Sequence, residues 1–143
     1  AAQVKAMKDR KVAGGLRLDL AAYREREACA QRGTELDKVT QARLDRGRRM
    51  VEILKQGQFQ PMHVADQVVA IYAGTSGAFD EVPVPQVREA EARLLQFVSA
   101  EHGAFRDRLV ETKALTEEIE AELKKILQAF RERTKAETGK GAR

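Results

Sequence analysis

Apolar residues return at spacings of three and four along almost the whole chain, and this rhythm constrains the fold more than any other feature. Val64, Val68, Ile71 and Tyr72 form one such series, and Ile119, Leu123, Ile126, Leu127 and Phe130 form another. Residues three or four apart share a helix face, whereas a half-buried strand needs alternation. No segment shows sustained alternation or an internal repeat, and only three prolines interrupt 143 residues. The chain is therefore predicted to be all-α, a helical bundle of about five to seven helices. With aromatics at 5% and no Trp, its core has to come from Leu, Val, Ile and Ala.

Punctuation divides the chain into helices. Residues 2–12 favour helix by propensity, and Gly14-Gly15 marks a break or a close-packing point. Leu16, Leu20 and Tyr23 place one stripe on a run over 16–31, with Gly33 as its stop. Thr34 and Asp37 stand in a T-x-x-D start, with Thr40 a further candidate cap. The next helix is predicted over 38–56 with Leu44, Gly47, Val51 and Leu54 inward, Gly47 admitting a close neighbour, and Gly57 and Pro61 ending it. HVADQVVAIYA (63–73) follows and is expected to stop at Gly74; GTSGAFDEVPVP (74–85) is the one clear loop. Pro85 opens a helix over 85–101 in which Val87, Glu91, Leu94 and Val98 keep phase, the glutamate being the chemical exception. His102-Gly103 interrupts it before AFRDRLVET. Thr116 caps the last helix, whose Glu117, Glu118, Glu120 and Glu122 are expected in solvated first turns, Glu120 at i,i+4 from Lys124. The tail 131–143 holds five basic residues against two acids and is expected to fray.

Charge is uneven. Residues 1–60 carry 14 Lys/Arg against 8 acids, residues 61–110 carry 4 against 7, and residues 111–143 carry 8 against 7, for a net charge of +4. The basic first part suits an acidic partner. One cysteine cannot make an internal disulfide, so a reducing compartment is expected. No apolar run approaches the roughly 18 residues of a membrane span, and no leader pattern is visible. A start at Ala1 without methionine is expected of a fragment or a processed product.

Residues that carry chemistry do not assemble in the sequence. His63 and His102 lack Cys or carboxylate partners at metal-ligand spacing, so no metal site and no catalytic residue is predicted. Cys29 has Arg24, Arg26 and Arg32 nearby to lower its pKa but no visible general base, and a small residue in an alanine-rich helix explains it equally well. Neither Gly14-Gly15 nor Gly74-Thr-Ser-Gly77 matches the phosphate-cradling pattern of nucleotide hydrolases. Arg43, Arg46 and Arg49 recur every three residues, which leaves open a stand-alone helical interaction module that binds nucleic acid. No aromatic side chain interleaves them, and a solvated helix face is the commoner outcome.

The segments AAQVKAMK, VAGGLRLDLAAYRE, TQARLDRGRRMVEILKQGQFQPM and DQVVAIYAGTSGAFDEVP, in this order and followed by two helices, resemble the C-terminal part of the alpha subunit of F-type ATP synthases. The likeness covers about residues 1–135, and LRLDLAAYRE and ILKQGQFQPM are its most specific stretches. It implies that residues 1–15 end a nucleotide-binding domain, 16–135 form the C-terminal helical bundle and 136–143 are a frayed basic tail. It further implies a non-catalytic subunit that alternates with beta subunits around a central-stalk gamma subunit. Such a complex is peripheral to the cytoplasmic side of the inner or plasma membrane, with no direct membrane insertion by this part and with nucleic acid an unlikely partner. ATP or ADP with Mg belongs to the parent subunit, whose phosphate loop and arginine finger lie upstream of Ala1; no cofactor is expected for these residues alone.

The family places two glutamines beside the adenine of the non-catalytic nucleotide, and they match Gln56 and Gln58. A side-chain amide both donates to and accepts from a purine edge. Without the resemblance they would read as surface residues. Two departures stand out. AMKDRKVAG is two residues longer than the family's usual run from AMK into VAG, which rotates the preceding helix by about 200° unless it is interrupted near Asp9–Lys11. The family's usual FAQFGSDLD is here CAQRGTELD, so Cys29 and Arg32 replace two phenylalanines in a turn, with Gly33 and Thr34, that the resemblance places near the rotor. Loss of two aromatic contacts implies a changed or weakened contact there, as in a divergent second-copy ATPase.

Overall fold

A helix that is apolar on every side has no solvent face and must be enclosed. VADQVVAIYAGT is such a segment, and in a computed structural model of the protein it forms a helix in which every residue from Val68 to Gly74 is buried. The structure describes residues 14–30, 38–59 and 62–141, with side chains at 14–25, 38–55 and 62–139. Among the described residues there are six α-helices and no strand: α1 (Gly15–Ala30), α2 (Lys38–Phe59), α3 (Val64–Thr75), α4 (Val87–Glu101), α5 (Gly103–Thr112) and α6 (Glu117–Gly141). A 3-10 turn, Val84–Gln86, leads into α4. The predicted all-α bundle is the observed architecture.

The enclosed α3 touches α1, α2, α4 and α5, and α6 closes the assembly over α4 and α5. Tyr72 joins α3 to α6: its hydroxyl donates to Glu120 Oε1 at 3.1 Å in the interior. Phe79, with no exposed surface, anchors the connection between α3 and α4 into the same core. Val87, Leu94 and Val98 of α4, Phe105 and Leu109 of α5 and Leu123, Ile126 and Phe130 of α6 complete it.

Two helix crossings depend on the absence of a side chain. A Cβ on Gly74 would lie 2.3 Å from Met50 Sδ and 2.8 Å from Ile53 Cδ1, so α3 meets α2 backbone to side chain at that point. A Cβ on Gly47 would lie 2.6 Å from Tyr23 Cβ and 3.1 Å from the Asp19 carbonyl oxygen, which fixes where α1 crosses α2. Gly47 thus has the close-approach role expected of it. Gly74 does not stop its helix, which continues to Thr75 and is capped by Ser76.

Other expectations are corrected. Leu54 and Val64, placed inward by periodicity, are 38% and 39% exposed, each at the flank of its stripe. Glu120, assigned to a solvated turn, is buried because α6 turns it toward Tyr72; Lys124 still approaches it at 3.5 Å. Helix α2 runs through Gly57 to Phe59, and Thr40 lies inside it rather than capping it. The last helix is continuous through the basic tail to Gly141. Thr116 caps it as expected, its Oγ1 accepting from the Ile119 amide at 3.2 Å. His102 ends α4 and Gly103 starts α5. The helix expected over 2–12, its interruption near Asp9–Lys11, the stop at Gly33 and the Thr34/Asp37 start lie outside the described residues.

Glu91 keeps its place in the apolar stripe of α4 literally. It has no exposed surface, and neither carboxylate oxygen has a hydrogen-bond partner. Burial, opposed by the charge of Arg88, pushes its carboxyl up from 4.5 to about 7. A buried group without a donor partner is held more easily in its neutral form.

Two tests follow from this packing. Gly47→Ala should lower stability by about 1–3 kcal/mol through overpacking against Tyr23, reversing the usual helix preference for Ala. Gly139→Ala, where a Cβ meets nothing within 4 Å, should leave stability unchanged or slightly raised. Urea unfolding of both variants checks the pair, and equal effects would remove the steric account of Gly47. For Glu91, the native state retains a proton that the unfolded chain releases above pH 4.5, so stability should fall as pH rises from 4.5 to about 7 and then level off. The loss is at most about 3 kcal/mol. In Glu91→Gln this component of the slope should vanish; an unchanged slope would show that Glu91 does not cause it.

Candidate functional site

The three arginines that sequence spacing aligned on α2 are drawn apart by the connection that follows α3. Arg46 Nε donates to Asp80 Oδ1 at 3.2 Å and a second guanidinium nitrogen donates to Asp80 Oδ2 at 2.5 Å. The same side chain reaches the Thr75 carbonyl at 3.4 Å. Arg49 Nε donates to the Val82 carbonyl at 2.9 Å. A planar guanidinium suits two parallel bonds to a carboxylate, so Arg46 clamps the turn rather than presenting a free cation. The turn is shaped for that approach: Gly77 has φ +91°, and a Cβ there would lie 2.8 Å from an Arg46 guanidinium nitrogen. Arg43 remains near Asp19, whose carboxyl burial pushes up while Arg46 and Arg43 pull it down. These contacts commit two of the three arginines to the fold, and the shared phosphate-binding face does not form.

Both histidines have structural positions. His63 Nδ1 accepts from the Ala65 amide at 3.1 Å and caps α3. The His102 ring lies 5.1 Å, centroid to centroid, from Phe97 at the α4–α5 junction. Among the described residues no group of three or more His, Cys, Asp or Glu side chains is placed to hold a metal ion. Tyr72, pushed up to about 12 by burial and then by its bond to Glu120, stays neutral and acts as a donor inside the core.

Further ion pairs bind helix to helix. Arg106 of α5 forks onto Asp66 of α3 at 3.0 and 3.2 Å. Arg133 of α6 grips Glu101 of α4 at 2.6 and 2.9 Å, its guanidinium 5.0 Å from the Phe97 ring centroid. Arg108 of α5 bonds Glu122 of α6. Solvent screens such pairs, so they add little stability and mainly fix geometry.

The residues singled out by resemblance lie at two helix ends. Cys29 is in the last turn of α1, while Arg32, Gly33 and Thr34 lie outside the described residues. Gln56 and Gln58 fall in the last turns of α2. The site that sequence reasoning passed over is the buried Glu91; its signal was the phase it shares with Val87, Leu94 and Val98.

Comparison with known proteins agrees with this geometry. Residues 3–130 match the family described as ATP synthase alpha/beta chain, C terminal domain. Over 139 residues, 97% of its length, the protein is 49% identical to ATP synthase subunit alpha of Mycolicibacterium smegmatis. Identity is 48% over the same share to ATP synthase subunit alpha of Mycobacterium marinum and of a Parafrankia species. The chain spans about a quarter, 25%, of the length of these relatives. No helix among the described residues is long and apolar enough to cross a membrane. With a match across 3–130 and a bundle whose polar groups serve helix junctions, the protein belongs to the family of C-terminal domains of the ATP synthase alpha and beta subunits.

Proposed function

We propose that the chain is the structural and coupling domain of the alpha subunit of a rotary ATP synthase that couples ATP synthesis or hydrolysis to proton or sodium transport. The observation that carries this reading is 49% identity over 97% of the chain to proteins named ATP synthase subunit alpha. The domain's work is packing. It keeps alpha and beta subunits in register, and its α1–α2 connection, with Cys29, Arg32, Gly33 and Thr34, faces the central-stalk gamma subunit. The complex sits peripherally on the cytoplasmic side of its membrane.

ATP or ADP with Mg is held by the rest of the subunit, and this domain contributes at most an amide edge at Gln56 and Gln58. Two amides are chemically suited to a purine. The ion-paired rim and the enclosed α3 support a domain that transmits position rather than one that turns over substrate.

The test uses the purified chain and the full-length subunit. The chain alone is expected to hydrolyse no ATP, and the full-length alpha subunit co-expressed with its beta subunit to form a hexameric head. Cys29→Phe together with Arg32→Phe in the assembled complex should change rotor affinity or coupling by restoring apolar area to the turn. ATP turnover by the purified chain that is lost on mutating one of its residues would overturn the reading. An unchanged rotor contact in the double variant would remove the turn's assignment alone.

A further inference from the structure

Between α1, α2 and α3 lies an open cavity of about 540 Å³ whose lining includes Glu91. Leu20 and Tyr23 of α1, Val51 and Leu54 of α2 and Ile71 of α3 give it apolar walls. Glu91 is one of its lining residues, with no exposed surface and no hydrogen-bond donor on either oxygen. An unpartnered carboxylate beneath apolar walls is costly in a folded chain, and a positively charged donor relieves that cost most directly.

Among the described residues no cation supplies it. Lys55, on the cavity rim, places Nζ 3.1 Å from Glu52 Oε1, and Arg88 Nε lies 3.2 Å from Glu52 Oε2. Glu52 therefore holds both of these cations, while Arg24 lines the cavity as an exposed side chain. The titratable groups around Glu91 are then Tyr23 and Arg24 from α1, Glu52 and Lys55 from α2 and Arg88 from α4 itself; α3 presents Gln67, Ala70 and Ile71.

We propose that this cavity is a binding site for an organic monocation, an ammonium or guanidinium group on an apolar stem, with Glu91 receiving the charged end and Leu20, Leu54 and Ile71 covering the stem. An ammonium offers three N–H donors to two vacant acceptor oxygens, an alcohol offers one, and a carboxylate is repelled. Because the oxygens are shut off from water, binding includes a rotation of the Glu91 side chain toward the cavity. The site is independent of the assignment to a rotary ATPase and stands on the geometry of this domain alone.

The test is titration of the purified chain at pH 8 with n-hexylammonium, hexan-1-ol and hexanoate, followed through methyl resonances of Leu20, Leu54 and Ile71. Hexylammonium is expected to bind about tenfold or more tightly than hexanol, with hexanoate weakest. Glu91→Gln should bring hexylammonium to the level of hexanol and leave hexanol unchanged. In the unaltered protein, hexylammonium affinity should rise as pH increases from 5 to 8 while hexanol affinity stays flat; this arm stands even if the variant does not fold. Equal binding of the amine and the alcohol, an undiminished amine affinity in Glu91→Gln, or shifts confined to residues away from the cavity would each overturn the proposal.

Discussion

The enclosure of α3 is the constraint on which the other elements depend. Seven consecutive residues, Val68 to Gly74, have almost no access to water, so this helix cannot lie on a surface and its neighbours must approach from several directions. Small residues make that possible: Ala70, Ala73 and Gly74 leave room for Met50 and Ile53 of α2 to come close. Once α2 is set in this way, Gly47 sets the crossing of α1 by the same steric logic. The order of dependence therefore runs from α3 outward, and α1 is positioned through α2 as well as by its own contact with α3.

Polar groups complete what apolar burial begins, and they do so at two levels. Inside, the Tyr72–Glu120 bond fixes α6 against α3 at a point where either group alone would be costly. On the rim, Arg46 holds the turn after α3, Arg106 holds α5 to α3 and Arg133 holds α6 to α4. Each rim pair is weak in water, and each ties two elements together at a defined point.

Much of this was legible in the amino-acid order. Spacings of three and four mark the helices α1 to α4 and α6, and the apolar stripe of α6 from Ile119 to Phe130 is buried as the periodicity requires. Gly47 was readable because a glycine on a buried stripe has few uses other than close approach. Other features were not local. Arg46 and Arg49 looked like a basic face because their partners, Asp80 and Val82, lie more than thirty residues on and are brought back by the turn at Gly77. Glu120 looked solvated for the same reason: Tyr72 is 48 residues away. Periodicity also cannot tell the centre of a stripe from its flank, which is why Leu54 and Val64 are more exposed than expected. At the candidate contact surfaces, Gln56 and Gln58 were found through resemblance rather than chemistry, since amides at a helix end carry no pattern of their own.

Amide hydrogen exchange on the native protein tests most directly whether α3 is the element on which the fold depends. The account predicts that the amides of Val69 to Ala73 exchange last, with an opening free energy equal to that of global unfolding, while those of α6 beyond Arg133 exchange by local opening. Exchange of the α3 amides as fast as those of the outer α6 turns, at conditions where the domain remains folded, would contradict it.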